Sequence, residues 1–537
     1  MRFYLFIIVF FYYLVSNLTL ANERIHNILP NFETYIKKTL QDWDAPGVAV
    51  AIVKDGQVVY QKGFGVTEVG SSQPVNEHTV FQIASLSKIF LATLYAQFVD
   101  EGKLSFDDPV LKYLSDFVLS DPEITKQFTI RDLLSHRSGL KHFSGDTFWY
   151  VGANSDEICT FLSKLPFTAT FRKTYGYQNH MFGVAGLIAE KITGQTIKEL
   201  YTTHFFEPLG MNDSSVGLEA VDLNPKQTLW QRIKSFFYKE TPKNVAVPHH
   251  MIDGKVTALP INAQMYTFSG STGVNTSAAD MAKWMLFHLN NGKVNGKQLV
   301  SIANEQELRK PEVSATDLRP DDPQFPAKQI QNVKYGMGWF LYDFVAGNKK
   351  VPMIAHMGGF AGIRSLIVLV PSENLGLVFL SNFGAMRVSM LPDALRARFF
   401  DLYYDLPETD WSVSFLQRMQ EIRAKNKQYK VNYRLQNPRA AQPLEKYIGE
   451  FENDLYGKLK LAVKDNQLWL HYRDKVVPLK HWNGDEFSFK GNDLTPVYSS
   501  YDEGYIEFGF QKSINQADLC VVNLLSEGKD DLFKRVE

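Results

Sequence analysis

The chain has 537 residues, with 57 basic and 58 acidic side chains and a formal net charge of -1. Hydrophobic residues make up 45% and charged residues 21%, which is typical of a globular protein long enough for a large catalytic domain and a further domain. Many nucleic-acid-binding proteins have an overall excess of basic residues. In this chain the basic and acidic residues are nearly equal in number, so we expect no nucleic-acid partner.

The N-terminus has the order of a secretory signal. Arg2 precedes an apolar run from Phe3 to Val15, and residues 19–21 resemble the cleavage site, with small residues, that ends a signal peptide. The run is shorter than the roughly 20 apolar residues that a membrane-spanning helix needs. The sequence therefore predicts a cleaved signal peptide over residues 1–21 and an exported protein, periplasmic or secreted. An uncleaved membrane anchor is the alternative interpretation.

Two apolar hairpins, far apart in the chain, predict one shared sheet. Residues 48–53 and 58–60 are rich in Val and Ile and flank Asp55-Gly56, which is a strong hairpin signal. The same pattern returns at residues 366–370 and 375–380. Two hairpins so rich in Val, Ile and Leu need a shared buried sheet.

The chain between these hairpins is predicted to be largely helical. Residues 89–99 are apolar on nearly every side, which is typical of a buried helix, and residues 182–192 and 280–289 have helical spacing. We therefore predict an α+β domain over residues 25–400, in which an antiparallel sheet from N- and C-terminal strands packs against a helical subdomain.

The composition changes after residue 400. Residues 411–443 are polar and basic, and we interpret residues 401–443 as a linker, either a linking helix or a connector. From residue 444 to residue 537, short runs such as 459–463 and 468–470 alternate or are β-prone and are separated by turns. This pattern predicts a small antiparallel β domain.

A Ser-x-x-Lys spacing at the start of the buried helix carries the predicted chemistry. Ser85 and Lys88 are three residues apart, so they lie on one helical face. Free backbone N–H groups at the helix start can stabilise negative charge near Ser85. Burial would lower the pKa of Lys88, so that its amine can take the hydroxyl proton. The plainer interpretation is an N-cap serine and a lysine that reaches solvent.

Further motifs follow in order, and with them the chain resembles the β-lactamase-related serine hydrolases: class C β-lactamases, penicillin-binding DD-peptidases, D-aminopeptidases and esterases. Residues 133–140 read LLSHRSGL, close to the family's LLSHTSGL turn, and residues 175–179 contain its Tyr-x-Asn motif. Residues 356–359, His-Met-Gly-Gly, stand where its third motif falls. The resemblance covers about residues 30–400 and implies a DD-peptidase/β-lactamase-like fold. The C-terminal domain resembles the lipocalin-like β domain often appended to this family.

The resemblance implies roles for the residues of the first two motifs. Ser85 would be acylated, with Lys88 as its base partner. Tyr177 would pass a proton to the leaving group and later activate water, after Lys88 has lowered the pKa of the phenol. Asn179 would hydrogen-bond the substrate. Taken singly, each residue also fits an ordinary loop or cap position, and their order along the chain favours the functional interpretation.

The third motif departs from the Lys-Thr-Gly version of the family, because His356 stands in place of the lysine. The resemblance implies that backbone N–H groups of Ser85 and Gly359 form the oxyanion hole. Gly358 and Gly359 would let a substrate approach the backbone closely. Loss of the lysine weakens the carboxylate anchor of β-lactam recognition, so peptidase or esterase activity is favoured over efficient β-lactamase activity. No metal or cofactor is implied.

We therefore predict a serine hydrolase that forms an acyl-enzyme at Ser85 and acts on peptides, D-amino-acid amides, esters or β-lactams. The alternative is a catalytically weak protein that binds cell-wall peptide or penicillin in the same cleft. In both cases the partner is a small molecule or a peptide, for which the cell wall is one source.

Residues 229–239 have the pattern of a basic amphipathic helix with aromatic residues, including Trp230 and Phe236 on the apolar face. Three interpretations are open: a helix packed on the domain, a lid over the site, or a peripheral membrane contact. Packing on the domain is the favoured one.

Overall fold

The computed structural model describes residues 23–222, 243–252, 254–315, 329–384, 389–433, 438–494, 503–512, 515–525 and 532–536. The predicted signal at residues 1–21 and the segment 229–239 lie outside these ranges, so both interpretations stay predictions. None of the helices within these ranges is long and apolar enough to cross a membrane.

The first domain is a large antiparallel sheet with helices on both faces. Its strands are β1 (Gly47–Lys54), β2 (Gln57–Gly65), β3 (Phe81–Gln82), β4 (Ser215–Val216), β5 (His249–Ile252), β6 (Lys255–Ala258), β7 (Val274–Thr276), β8 (Lys293–Val294), β9 (Lys297–Gln298), β10 (Val313–Ser314), β11 (Ile330–Tyr335), β12 (Phe340–Ala346), β13 (Lys349–Phe360), β14 (Ile363–Val370) and β15 (Leu375–Ser381). The main sheet has eight strands in the order β10-β11-β12-β13-β14-β15-β1-β2.

The helices lie before, between and after these strands. They span residues 23–42, then Ser87–Asp100, Pro122–Gln127, Ile130–Leu134, Asp146–Tyr150, Ser155–Leu162, Asn179–Thr193, Ile197–Tyr201, Glu207–Leu209, Ser269–Thr272, Ala278–Leu289, Ile302–Leu308, Leu391–Tyr403 and Trp411–Tyr433. A π-helical turn occupies Thr202–Phe206, and a 3-10 turn at Ala84–Leu86 leads into the Ser87–Asp100 helix.

Strand β1 shows why the predicted apolar runs lack alternation. Every residue of GVAVAIVK is buried. Ala49 and Ala51 belong to the core on the side of the Ser87–Asp100 helix, whereas Val48 and Val50 belong to the core beneath the first and the Leu391–Tyr403 helices. A strand with helices on both faces has to be apolar at consecutive positions.

The two predicted hairpins are both present and lie side by side. Strands β1 and β2 are joined at Asp55 and Gly56, whose φ angles of 51° and 79° are those of a type I′ turn. Strands β14 and β15 form the second hairpin, and β15 pairs with β1 in antiparallel register. The two ends of the domain therefore meet in the middle of one sheet, and the predicted α+β class is confirmed.

The C-terminal domain is a closed eight-stranded barrel. Its strands are β16 (Gly449–Asn453), β17 (Gly457–Lys464), β18 (Gln467–Tyr472), β19 (Lys475–Asn483), β20 (Glu486–Lys490), β21 (Glu503–Gly509), β22 (Leu519–Val522) and β23 (Leu532–Arg535). Strand β23 pairs with β16, which closes the barrel and leaves no open sheet edge. The segment predicted as a linker contains the Trp411–Tyr433 helix.

The barrel docks on two short helices of the first domain. The Tyr456 ring packs against Phe148 and Phe161, with centroid separations of 6.0 and 5.7 Å. Arg473 forms an ion pair of 2.6 Å with Glu157 and lies 4.8 Å over the Phe148 ring. These contacts fix the barrel to the Asp146–Tyr150 and Ser155–Leu162 helices, so the two cores are continuous at Tyr456.

Candidate active site

Ser85 lies on a strained turn between strand β3 and the Ser87–Asp100 helix. Ala84, directly before it, has a φ angle of +47°, a left-handed conformation that costs a non-glycine residue free energy. Two hydrogen bonds hold the turn in place. Ser365 Oγ donates to Ile83 O at 2.9 Å, and Ser87 Oγ accepts from the N–H of Val274 at 3.0 Å. The surrounding structure therefore determines where the Ser85 hydroxyl lies.

Lys88 is fully buried beside that hydroxyl. Its Nζ donates to Ser85 Oγ at 3.1 Å, to Asn179 Oδ1 at 2.7 Å and to the carbonyl oxygen of Ser271 at 3.3 Å. Burial lowers the pKa of Lys88 to about 7, against the opposing charge of Asp146. At neutral pH a large share of the amine is therefore uncharged, and it lies within hydrogen-bond distance of the hydroxyl that it would deprotonate.

Tyr177 lies on the other side of Ser85. Its ring centroid is 5.0 Å from Lys88 Nζ, and the Ser85 hydroxyl is near enough to favour the ionised form of its phenol. Burial raises the pKa of Tyr177 above its usual value, and the nearby Ser85 hydroxyl opposes that shift only in part. The expectation that Lys88 lowers this pKa is wrong, because the loss of solvation outweighs every favourable contact of the phenolate. Tyr177 is a neutral phenol at physiological pH.

The Asn179 amide is held at both ends by the protein. Its oxygen accepts from Lys88, and its Nδ2 donates to Asp146 Oδ2 at 2.6 Å. An amide nitrogen carries two hydrogens, so one further donor is left for a substrate. The sequence predicted contact with substrate, and the structure adds contact with Lys88 and with a carboxylate.

His356 does not stand in for a cationic lysine. Its Nε2 accepts from the Tyr335 hydroxyl at 3.1 Å, and its Nδ1 donates to the carbonyl oxygen of Met357 at 2.7 Å. The side chain is fully buried, and burial lowers the pKa of His356 to about 3. Both ring nitrogens are therefore occupied, and the imidazole is neutral throughout the physiological range.

The two glycines after His356 lie where strand β13 passes the Ser85 turn. A Cβ on Gly358 would lie 2.0 Å from Ile83 O and 2.3 Å from Ser365 Oγ, so only glycine fits there. Gly359 follows, opposite Arg364 in the β13–β14 ladder, and is half-buried. The predicted residues of all three motifs thus converge from segments far apart in the chain.

Two neighbours of the site were not predicted. Asp146, which is 3% exposed, begins a short helix and accepts hydrogen bonds from Asn179 and Tyr150. The His136 ring packs against the Tyr177 ring, tilted by 37° with centroids 4.1 Å apart, and its Nδ1 accepts from the N–H of Gln178 at 3.1 Å. His136 lies inside the LLSHRSGL segment, so that motif could have indicated it. The sequence signal for Asp146 is weaker, because it is only an acidic residue in the first turn of a helix.

Residues 32–399 match the protein family described as Beta-lactamase, and residues 433–519 match a domain of unknown function, DUF3471. Unguisins hydrolase ungD of Aspergillus violaceofuscus is 25% identical over 457 residues, which cover 81% of this chain and 76% of that protein. Penicillin-binding protein 4 of Amycolatopsis lactamdurans is 27% identical over 361 residues, which cover 65% of this chain and 84% of that protein.

The fold also occurs among solved structures. The octameric penicillin-binding protein homologue from Pyrococcus abyssi superposes with a TM-score of 0.59 at 21% identity, covering 94% of this chain and 100% of that one. The likeness in fold therefore extends over the first domain and most of the barrel.

The close approach of Gly358 to the Ser85 turn yields a prediction. Gly358→Ala places a methyl group against Ile83 O, so we expect it to push strand β13 from the turn and to destabilise the protein by about 1–3 kcal/mol. The rate at which a fluorophosphonate probe labels Ser85 should also fall. The corresponding rise in activation free energy should be at least as large as the loss in free energy of unfolding. Gly186→Ala is the matched control, because a Cβ at that helical position meets no atom closer than 3.8 Å. Equal stability and labelling of the two variants would contradict this role of Gly358.

Proposed function

Because this chain belongs to the Beta-lactamase family, we propose that it is a serine hydrolase that forms an acyl-enzyme at Ser85. The family relationship makes it a hydrolase of the β-lactamase and penicillin-binding-protein type. One observation carries the finer proposal: the buried Lys88 amine, with its pKa lowered to about 7, is 3.1 Å from Ser85 Oγ.

The first half-reaction begins with transfer of the Ser85 hydroxyl proton to neutral Lys88. As the proton leaves, Oγ bonds to the scissile carbonyl carbon, and the carbonyl oxygen becomes negative. The backbone N–H groups of Ser85 and Gly359 are the proposed donors to that oxygen. Asn179 has a free amide hydrogen for the substrate, in keeping with a positioning role.

Collapse of the tetrahedral intermediate breaks the bond to the leaving group, which needs a proton. Tyr177 suits this step because its phenol is neutral and lies near the Ser85 hydroxyl. We propose that Tyr177 gives its proton to the leaving nitrogen or oxygen while the protonated Lys88 replenishes it. Lys88, neutral again, then takes a proton from water as the water oxygen bonds to the acyl carbon. When the bond from that carbon to Ser85 Oγ breaks, Lys88 returns the proton to Oγ, and the acyl group leaves as the carboxylic acid.

Neutral His356 favours substrates that present no anion to the third motif. A histidine with a pKa of about 3 cannot pair with the carboxylate of a β-lactam or of a peptide terminus. Amide and ester substrates do not need that partner. The name of the relative unguisins hydrolase, at 25% identity, also supports a hydrolytic rather than a purely binding role.

The alternative function is a penicillin- or cell-wall-peptide-binding protein whose acyl-enzyme is long-lived. The raised pKa of Tyr177 favours it, since a neutral phenol cannot activate water and only Lys88 remains as a base for deacylation. The names of relatives such as penicillin-binding protein 4 agree with this alternative.

The Lys88 amine gives the proposal its sharpest test. With a pKa of about 7, the neutral amine is lost as pH falls, so the rate of Ser85 labelling by a fluorophosphonate should fall about tenfold per pH unit below 7 and level off above it. Lys88→Met should slow labelling by about 10²–10⁴-fold, the range for loss of a general base.

Controls separate chemistry from folding in that test. Lys62→Met, at an exposed lysine, should leave labelling unchanged. Thermal unfolding at pH 7 reports whether Lys88→Met folds, because the substitution removes an amine that burial destabilises but also the donor to Asn179 Oδ1 and Ser271 O. Mass mapping that finds the adduct elsewhere than Ser85, or none in the wild type, would refute the acyl-enzyme.

A substrate panel distinguishes the two candidate functions. We expect p-nitrophenyl butyrate and D-alanine p-nitroanilide to be turned over repeatedly, and nitrocefin more slowly, because the cephalosporin carboxylate lacks a cationic partner at His356. A stoichiometric burst without turnover on all three compounds would favour the binding protein. Ser85→Ala measures the background rate for each compound.

We also propose that the chain is exported, on the basis of its predicted signal. N-terminal sequencing of the mature protein, purified from cells that express the full chain, should begin directly after Ala21. A mature protein that still begins at Met1 would favour the uncleaved anchor.

A further inference from the structure

We propose that Asp146 is a positioning residue that orients the Asn179 amide and thereby holds the Lys88 amine beside Ser85. The inference rests on the proposed acyl-enzyme, because it concerns how the base of that reaction is placed. Asp146 is hydrogen-bonded to Asn179, which in turn contacts Lys88, so its role is positioning rather than catalytic.

The orientation of the Asn179 amide follows from the chemistry of its two neighbours. A carboxylate has only hydrogen-bond acceptors, so the amide must turn its nitrogen toward Asp146, at 2.6 Å from Oδ2. The amide oxygen must then face the opposite way, where Lys88 Nζ lies at 2.7 Å. A flipped amide would place oxygen against oxygen at Asp146, and its nitrogen against the amine. Asp146 thus selects the orientation that gives Lys88 an acceptor.

The Asp146 side chain has little freedom to move. It is 3% exposed, and the Tyr150 hydroxyl donates to the same oxygen at 3.0 Å. Gly145 before it has a φ of 88°, and a Cβ there would lie 2.7 Å from His180 Nε2. The next turn of the helix is anchored by Trp149 Nε1, which donates to Gln264 O at 2.8 Å.

The barrel holds the same helix from outside. Phe148, two residues after Asp146, packs against Tyr456 of the barrel and lies beneath the Arg473 guanidinium. Docking of the C-terminal domain therefore stabilises the Asp146–Tyr150 helix, from which the Asp146 carboxylate reaches the site.

Asp146 is also the charged group that acts on the Lys88 amine. The other titratable groups facing that amine are His136, His180, His356 and Tyr177. Burial lowers the pKa of each histidine, to about 4 for His180 and about 3 for His356, and raises that of Tyr177, so all four are neutral near pH 7. The carboxylate opposes the effect of burial on the Lys88 pKa. Its removal should leave the amine neutral down to lower pH.

The experiment measures the rate of fluorophosphonate labelling of Ser85 between pH 5 and pH 10 in three forms of the full chain. In Asp146→Asn, the rising limb should move to lower pH by about one unit, the size expected when a nearby opposite charge is lost. The plateau rate should fall by no more than about tenfold, since a neutral amide can still accept from Asn179. Asp146→Glu keeps the charge, so its limb should stay with the wild type.

Asp156→Asn, at an exposed carboxylate on the neighbouring Ser155–Leu162 helix, should match the wild type in both limb and plateau. Thermal unfolding of each variant reports whether it folds. If Asp146→Asn does not fold, Asp146→Ser takes its place, and the same shift of the rising limb to lower pH is expected. A rate that falls equally at every pH would show a merely structural role and overturn the inference. Absence of a Ser85 adduct in the wild type would instead overturn the acyl-enzyme proposal, so the two failures are distinguishable.

Discussion

A lysine amine that is removed from water either finds charged partners or gives up its proton, and this constraint organises the catalytic domain. Lys88 lies in the first turn of a helix whose residues are buried on nearly every side, from Ser87 to Phe98. The helix is buried because it lies between the sheet and the helical subdomain, with its apolar side chains in the core. The packing that stabilises the domain is therefore also the cause of the low pKa of Lys88. Stability and basicity have the same origin here.

The position of Ser85 depends on contacts from distant strands in the same way. The left-handed Ala84 is held by side chains and backbone from strands β7, β13 and β14, through Val274, Gly358 and Ser365. Strand β13 can approach the turn closely because Gly358 has no side chain. Strain at one residue is thus maintained by β13 and β14 of the large buried sheet and by β7 of a separate three-stranded sheet, which is how an unfavourable backbone conformation persists at a functional site.

Much of this arrangement could be predicted from the sequence, because it is encoded locally. Asp55-Gly56 between two apolar runs specifies a hairpin, and the spacing of Ser85 and Lys88 places them on one helical face. Asp146 could not be found this way, since its importance comes from a hydrogen bond to a residue of another helix. The pKa of Tyr177 was predicted in the wrong direction, because proximity to a lysine suggests stabilisation of the phenolate, whereas its sign follows from burial. Closure of the barrel by pairing of β16 with β23 is likewise a contact between distant segments.

The substitution of histidine in the third motif changes the electrostatic balance of the whole site. A lysine at position 356 would add a positive charge near Lys88, and repulsion between the two would help to keep Lys88 neutral. His356 is neutral and gives no such help, so burial alone has to lower the Lys88 pKa against the charge of Asp146. The balance holds only while water stays out, which ties basicity to the integrity of the packing around residues 85–88. The same substitution removes a cation that could attract a substrate carboxylate. The neutrality of His356 thus bears on both the base and the substrate preference of the proposed hydrolase, since one missing charge affects the two together.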